Sequence, residues 1–145
     1  ERLRAFNPEA ILAAAVHEPV GLSEGMTQEL MSLERLTTRR VHLVSSIGDP
    51  EGFEETVRQA GAVIVGQATY PDHYRYRPAE WRAITQAAAA SRAEAMLTTE
   101  KDWLRLRPLS LQAPASVPVW VLRVRLRLLS GEEALHDRLA RVCAR

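Results

Sequence analysis

A carboxylate beside an imidazole is the most suggestive chemical pair in this sequence, and it lies in the polar segment 71–76. Asp72 directly precedes His73, so the acid can orient or charge-stabilise the ring, which can then act as a base, an acid or a donor to phosphate. The alternative is a surface turn, because Pro-Asp begins many turns and aromatic residues commonly cover a domain. Asp72 and His73 are the catalytic candidates.

A second candidate segment, residues 46–50, follows a short apolar run and ends in Asp-Pro. Gly48 and Asp49 lie where a helix should begin, and the free N–H groups of a helix N-terminus can hold an anion. The segment lacks the several glycines of a dinucleotide motif and the Gly-Lys-Ser/Thr of a P-loop. A structural turn with a capped helix is the other interpretation. Gly48 and Asp49 are therefore candidate substrate or phosphate contacts.

The third segment, residues 99–102, holds Lys101, the only lysine among 19 basic residues. Because arginine is the default cation of this chain, the lone lysine marks a position that can require an ammonium group. Glu100 and Asp102 flank it, and all three are candidate substrate or phosphate contacts. A solvated loop is the alternative. The acids of the three segments could also bind Mg²⁺, but no ligand spacing supports this, so no metal site is predicted.

The elements that must position these segments alternate between strands and helices. Apolar runs predict strands at 41–44, 62–66, 95–98 and 117–128, and capping patterns predict helices over 50–60, 78–90 and 132–142. This order favours a three-layer, Rossmann-like α/β fold, with a mostly parallel sheet and helices on both faces. Parallel strands end at one edge, where such folds bind ligands. The three segments are therefore expected to face a common crevice.

The N-terminal part of the chain does not show this alternation of strands and helices. Asn7, Pro8 and Glu9 form a cap, a first-turn proline and an early acid, which predicts a helix to about His17. Residues 18–38 are mixed and predict a connector with one short helix over 28–36. The expected organisation is an N-terminal helix and connector at 1–38, followed by an α/β domain at 39–145.

Composition excludes several classes of protein. The chain has 145 residues, 46% hydrophobic and 26% charged, which suits one globular domain rather than a disordered chain. No apolar stretch reaches the roughly 18 residues of a membrane-spanning helix, and no signal peptide is expected. Cys143 is the only cysteine, so a disulfide within the chain is excluded and a reducing compartment is the default. Arginines alternate with apolar residues at 123–127, which predicts a strand with one charged face.

Taken together, the three segments resemble tetraacyldisaccharide 4'-kinase, the lipid A kinase family of Gram-negative bacteria. The motifs are Ser-Ile-Gly-Asp-Pro at 46–50, Tyr-Pro-Asp-His-Tyr-Arg-Tyr at 70–76 and Leu-Thr-Thr-Glu-Lys-Asp at 97–102. His-Glu-Pro at 17–19 resembles the segment that leads into this part of the family, and Pro-Val-Trp-Val-Leu at 118–122 resembles its last strand. The resemblance covers nearly the whole chain and only the C-terminal domain of the family.

The resemblance implies a function. In that family a P-loop half binds MgATP, and the γ-phosphate passes to the 4'-hydroxyl of an acylated disaccharide 1-phosphate embedded in the membrane. Carried onto this chain, the family's catalytic histidine is His73, which works with an aspartate of the other half to activate the hydroxyl. The implied partners are the P-loop half, the lipid A precursor and the membrane surface, with no nucleic acid. The implied location is the cytoplasmic face of the bacterial inner membrane.

Two residues of this chain differ from the family's pattern, and the family's P-loop lysine is absent from this sequence. Ser46 stands where the family commonly has glycine, and Arg105 stands where it often has lysine. No P-loop lysine is present, so MgATP is expected to bind mainly to the other half, with no cofactor for this chain alone and no activity in isolation. One alternative is a stand-alone α/β binding or interaction module without kinase activity. Another is a small Mg²⁺-dependent phosphohydrolase built on Asp49, Asp72 and Asp102.

Overall fold

The computed structural model describes residues 2–143, which form six strands, five α-helices and one 3₁₀-helix. The elements are α1 (Arg2–Phe6), β1 (Ala14–Glu24), β2 (Leu30–Met31), the 3₁₀-helix η1 (Leu33–Leu36), β3 (Arg40–Ser45), α2 (Pro50–Gln59), β4 (Val63–Thr69), α3 (Pro78–Ala90), β5 (Ala95–Thr99), α4 (Glu100–Gln112), β6 (Val119–Ser130) and α5 (Glu132–Cys143). From β3 onward, each strand is followed by a helix. The sequence pattern predicts three of these helices, α2, α3 and α5, but not α4.

The strands form one mixed sheet in the order β2-β1-β6-β5-β3-β4. β3 pairs in parallel with both β4 and β5, and β5 pairs in parallel with β6. Only the short β2 is antiparallel to its neighbour β1 among the pairings with a defined register. The fold is therefore α/β with a mostly parallel sheet, which confirms the predicted class.

Helices cover both faces of the parallel part of the sheet. Neighbouring strand residues alternate between two cores, so Leu43 belongs to one and Val44 to the other. The core beneath α3 and α4 is built around Trp81, Ile84, Met96, Trp103, Leu106 and Val121. The core beneath α2 and η1 is built around Leu36, Phe53, Val57, Leu97, Trp120 and Leu122. Burial of two apolar faces on the same strands explains their near-continuous apolar sequences.

Internal contacts divide the chain into two compact units. The larger unit is Pro19–Arg123, which contains the three candidate segments, and the smaller unit combines the segment up to Glu18 with the segment from Val124 onward. β1 and β6 each contribute residues to both units. The division into 1–38 and 39–145 stays a prediction.

The predicted helix from Asn7 to about His17 is wrong. Residues 14–24 form β1, and the only α-helix before it in the described residues is α1. Asn7 does accept a hydrogen bond from a backbone N–H, that of Glu9 at 3.1 Å, but the result is an isolated turn. The alanines at 13–15 favour a helix locally, whereas pairing within the sheet satisfies the backbone of this segment.

Three smaller predictions also need correction. The short helix expected over 28–36 is the two-residue β2 followed by η1. β4, at the strand predicted over 62–66, is an edge strand of the sheet and is less buried than its apolar sequence indicates. Residues 100–102, expected to be a loop, are the first turn of α4, in which Thr99 is the N-cap and accepts a hydrogen bond from the N–H of Asp102.

A buried histidine on β3 provides a test of this packing. His42 is 3% exposed, and neither ring nitrogen has a hydrogen-bond partner within the described residues. Its ring lies against Gly66 of β4, where a Cβ atom would come within 2.6 Å of Nδ1. Burial lowers the pKa of His42, because the charged ring cannot be solvated there.

We expect the free energy of unfolding to fall as the pH drops from about 7 to about 5. Below the ordinary histidine pKa of about 6.5, the unfolded chain binds a proton that folded His42 does not, so each pH unit costs up to about 1.4 kcal/mol. Above that pH both states are neutral and the contribution is constant. Urea unfolding of the protein and of His42→Leu at several pH values measures the slope. The slope should fall in His42→Leu and stay in the exposed control His136→Gln. A slope that is unchanged in His42→Leu would contradict the assignment to His42.

Candidate functional site

The three candidate segments start from one edge of the sheet. In the parallel ladders Ser45 of β3 lies opposite Thr69 of β4, and Val44 lies opposite Thr98 of β5. The carboxyl ends of these strands therefore coincide, and the chain leaves each of them at the same edge. This is the geometry expected from the alternation of strands and helices, and it is where α/β proteins bind ligands.

A buried carboxylate joins the first segment to the third. Asp102, at 0% exposure, accepts hydrogen bonds from the backbone N–H of Ser46 at 2.9 Å and from the Thr99 hydroxyl at 2.9 Å. The Ser46 hydroxyl also bonds to its other carboxylate oxygen. A buried charge is tolerated only when such donors surround it. Asp102 thus fastens the end of β3 to the first turn of α4.

Arg105 extends this cluster to the second segment. It lies one helical turn after Asp102, and its NH1 group is 3.2 Å from the Ser46 hydroxyl and 3.5 Å from Oδ1 of Asp102. Its NH2 group is 2.9 Å from Nδ1 of His73. One guanidinium therefore contacts a fully buried acid and an exposed histidine. The side chain of Arg105 is 29% exposed, so it bridges the interior and the surface.

His73 occupies a constrained turn. Its backbone N–H donates to the carbonyl of Ser46 at 3.2 Å, and its φ is +60°, in the left-handed region that residues other than glycine rarely adopt. Such a conformation costs roughly 1–2 kcal/mol and often marks a functional position. Asp72 lies beside the ring, with Oδ2 3.8 Å from Nε2, and the same oxygen lies beside Gly48. All three segments are therefore in contact.

A pocket of about 450 Å³ opens at this position, lined by His73, Arg75, Tyr76 and Arg105. Two of the four lining side chains are cationic, so the pocket suits an anion with several oxygens. Tyr76 is 8% exposed, and its hydroxyl has no hydrogen-bond partner within the described residues. Burial raises the pKa of Tyr76, with Ser46 acting in the opposite direction, so the phenol is neutral. The ring packs edge-on against Tyr70 and Tyr74, which hold it in place.

The remaining predicted site residues lie at the same edge but have other neighbours. Asp49 caps α2, accepting a hydrogen bond from the N–H of Gly52 at 2.9 Å. Glu100 is 3.6 Å from Nε of Arg123, and Lys101 is exposed in the first turn of α4. Asp102 is closed off from solvent, which argues against the direct ligand contact predicted from the sequence.

The described residues offer no group of three or more His, Cys, Asp or Glu side chains able to hold a metal ion. Two of the three carboxylates considered for a phosphohydrolase are engaged by protein donors, Asp49 as a cap and Asp102 in its buried cluster.

Two of the alternating arginines of β6, Arg125 and Arg127, face the same acid. Glu18 on β1 lies 2.6 Å from Nε of Arg125 and 3.2 Å from Nε of Arg127. The hydrogen bond from Arg125 and the two positive charges lower the pKa of Glu18. β6 lies between β1 and β5 in the sheet order, and its defined pairing with β5 ends at Leu122, before these arginines.

Sequence reasoning missed the residues that connect the site. Ser46 and Arg105 entered only as departures from a family pattern, and Arg75 only as part of a motif. One local signal was present: a threonine cap with an acid three positions later, as at Thr99 and Asp102, begins many helices. With α4 predicted, the spacing of Asp102 and Arg105 would place both on one helix face.

Comparison with known proteins identifies the family. The family model for tetraacyldisaccharide-1-P 4'-kinase (LpxK) matches residues 5–144. The chain belongs to this kinase family. The relatives that it resembles are named tetraacyldisaccharide 4'-kinase: one from Anaeromyxobacter dehalogenans (strain 2CP-C) is 38% identical over 97% of this chain, and one from Methylorubrum extorquens (strain PA1) is 43% identical over 70% of it.

The kinase family also accounts for the fold. A crystal structure described as an "apo" form of LpxK from Aquifex aeolicus in complex with ATP matches with a TM-score of 0.52 and 22% identity. The match covers 96% of this chain and 40% of that chain. This chain likewise spans 38% of the length of the Anaeromyxobacter relative and 29% of the Methylorubrum relative. The matched region is therefore one part of a longer kinase.

Proposed function

We propose that this chain is the C-terminal domain of an ATP-dependent kinase that phosphorylates the 4'-hydroxyl of a tetraacyldisaccharide 1-phosphate in lipid A biosynthesis. Family membership and the names of the similar proteins support this proposal. Their greater length supports assigning the rest of the enzyme, including its P-loop half, to residues outside this chain.

The pocket between His73, Arg75 and Arg105 is the observation that carries the proposal. Phosphoryl transfer spreads negative charge over the oxygens of the transferred group, and catalysis consists largely of positioning and stabilising that charge. Two guanidinium groups supply fixed positive charge without a proton transfer of their own. The imidazole of His73 is exposed at the same pocket and is proposed to activate the substrate hydroxyl together with an aspartate of the other half. Asp72 is proposed to act beside it.

MgATP is proposed to bind mainly outside this chain. The described residues provide neither a metal-binding group nor a P-loop sequence, so no step of the reaction is assigned to Mg²⁺ or to nucleotide binding here. Gly48, Asp49, Glu100 and Lys101, at the edge beside the pocket, are proposed to contact substrate or phosphate when the two halves meet.

A position at the cytoplasmic face of the inner membrane is part of the same proposal. The proposed substrate carries four acyl chains, which keep it in a bilayer, so the enzyme must work at a membrane surface. Among the described helices, none is long and apolar enough to cross a bilayer. No nucleic-acid partner is proposed.

Transfer of phosphate tests this function. The full-length protein should move the γ-phosphate of ATP to tetraacyldisaccharide 1-phosphate in detergent micelles, as measured with labelled ATP. This chain alone, folded by circular dichroism, should show no turnover and no micromolar binding of MgATP by calorimetry. Tight MgATP binding to the chain alone would contradict the assignment of nucleotide binding to residues outside this chain. A full-length protein without transferase activity would favour the stand-alone binding module.

A further inference from the structure

We propose that Asp102 and Arg105 are positioning residues that hold His73 in one tautomer, with its ring proton on Nε2 and its Nδ1 closed by a hydrogen bond. The tautomer follows from the geometry of this chain, whereas its consequence for catalysis rests on the proposed kinase function. Neither Asp102 nor Arg105 needs to touch the substrate for this role.

The donor chemistry of arginine determines the tautomer. A guanidinium has five N–H donors and no acceptor, and it stays charged in proteins. Since NH2 of Arg105 is 2.9 Å from Nδ1 of His73, Nδ1 must accept this bond with its lone pair. The neutral ring then carries its proton on Nε2. His73 therefore presents an N–H donor on the side away from Arg105.

The position of Arg105 is set from the interior. Asp102 is fully buried and is itself held by Ser46 and Thr99, so its carboxylate has little freedom to move. The NH1 group of Arg105 contacts both the Asp102 carboxylate and the Ser46 hydroxyl, and its NH2 group contacts Nδ1 of His73. The backbone N–H of His73 is fastened to the carbonyl of Ser46. Ser46 thus anchors the donor and the acceptor of the same hydrogen bond.

The free Nε2–H indicates the class of group that docks against His73. Asp72 precedes His73 in the chain, and its Oδ2 is 3.8 Å from Nε2, which is too far for a hydrogen bond. The side chain of His73 is 75% exposed, and Arg75 and Arg105 line the same pocket. An anionic oxygen, from a phosphoryl group or from a carboxylate of the other half, would accept from Nε2–H and face two positive charges. His73 therefore enters the reaction as a donor that orients such an oxygen.

Nitrogen NMR of the histidine rings tests the tautomer directly. Full-length protein labelled with ¹⁵N-histidine is measured at about pH 8, where an ordinary histidine is neutral, and the His73 signal is assigned by its loss in His73→Asn. We expect a protonated Nε2 and an unprotonated Nδ1. Arg105→Met, which keeps the stem but has no donor, should give a mixture of tautomers, and Arg105→Lys, which keeps a charged donor, should restore the single form. A protonated Nδ1 in the natural protein, or an unchanged tautomer in folded Arg105→Met, would overturn the proposal.

Kinetics of the same variants separate this inference from the proposed function. Arg105→Met should lower kcat for phosphate transfer about tenfold, as expected for loss of one charge-assisted hydrogen bond, and Arg105→Lys should recover most of it. The ring measurement needs no kinase activity. The expected tautomer in a protein without transferase activity would therefore support the positioning role while the kinase proposal fails. An active kinase in which Arg105→Met leaves the His73 tautomer unchanged would overturn only the positioning role.

Discussion

Replacing His73 by alanine in the full-length protein should lower kcat for phosphate transfer by about 10²–10⁴, the usual contribution of a side chain that assists proton transfer. The KM for MgATP should change little, because nucleotide binding is proposed for the other half. Steady-state kinetics with varied MgATP separates the two parameters. The matched control is His136→Ala, which removes an exposed histidine from α5, outside the candidate site, and should leave both parameters unchanged.

A second substitution keeps this prediction independent of folding. His73 has a φ of +60°, which glycine adopts without strain, so His73→Gly should fold at least as well as the natural protein while losing the imidazole. Circular dichroism and urea unfolding check the fold of both variants. A well-folded His73→Ala or His73→Gly protein with the natural kcat would reduce His73 to a turn residue and remove the proposed catalytic group.

The substitution with the largest expected effect on stability is Asp102→Ala. Its carboxylate accepts from the Ser46 N–H, the Ser46 hydroxyl and the Thr99 hydroxyl, and its removal leaves these donors without an acceptor in a buried place. Unsatisfied buried groups and broken buried ion contacts cost about 1–5 kcal/mol, so we expect a loss of about 3 kcal/mol. Urea unfolding of the protein measures this loss.

The control for Asp102 is an acid with no buried partners. Asp137 is exposed on α5, and Asp137→Ala should change the free energy of unfolding by no more than about 0.5 kcal/mol. Asp102→Asn keeps the shape and one acceptor, so its loss should lie between those of the other two variants. Equal stability of Asp102→Ala and Asp137→Ala would show that the buried cluster does not hold β3 to α4.

Much of the α/β part was predictable because its signals are local. Asp49 and Pro50 mark the start of α2, and Phe53 and Val57 recur on one face at helical spacing, as the structure confirms. Strands β3 and β5 are apolar because both of their faces are covered, and this pattern is also visible in the sequence. Parallel pairing then places the three candidate segments at one edge, so the general position of the site follows from the order of elements.

The connections within the site were not predictable from the sequence. The bond between Asp102 and Ser46 joins residues 56 positions apart, and the contact between Arg105 and His73 joins residues 32 positions apart. Such contacts depend on the exact register of β3 against β5 and on the entry angle of α4. Sequence patterns indicate whether a segment is a helix or a strand and which of its faces is buried. They do not give the ångström-scale distances on which a hydrogen bond depends.

The sequence by itself determined the family resemblance, the alternation of strands and helices, and the edge where Gly48, His73 and Lys101 lie. Only the tertiary structure decided that the segment following Asn7 contains β1 rather than a helix, and that Asp102 is buried while His73 is exposed. The physical reason is the same in both cases. Helix propensity differs by less than about 1 kcal/mol per residue between ordinary side chains. Sheet pairing and burial involve partners far away in the sequence, and together they outweigh that local preference.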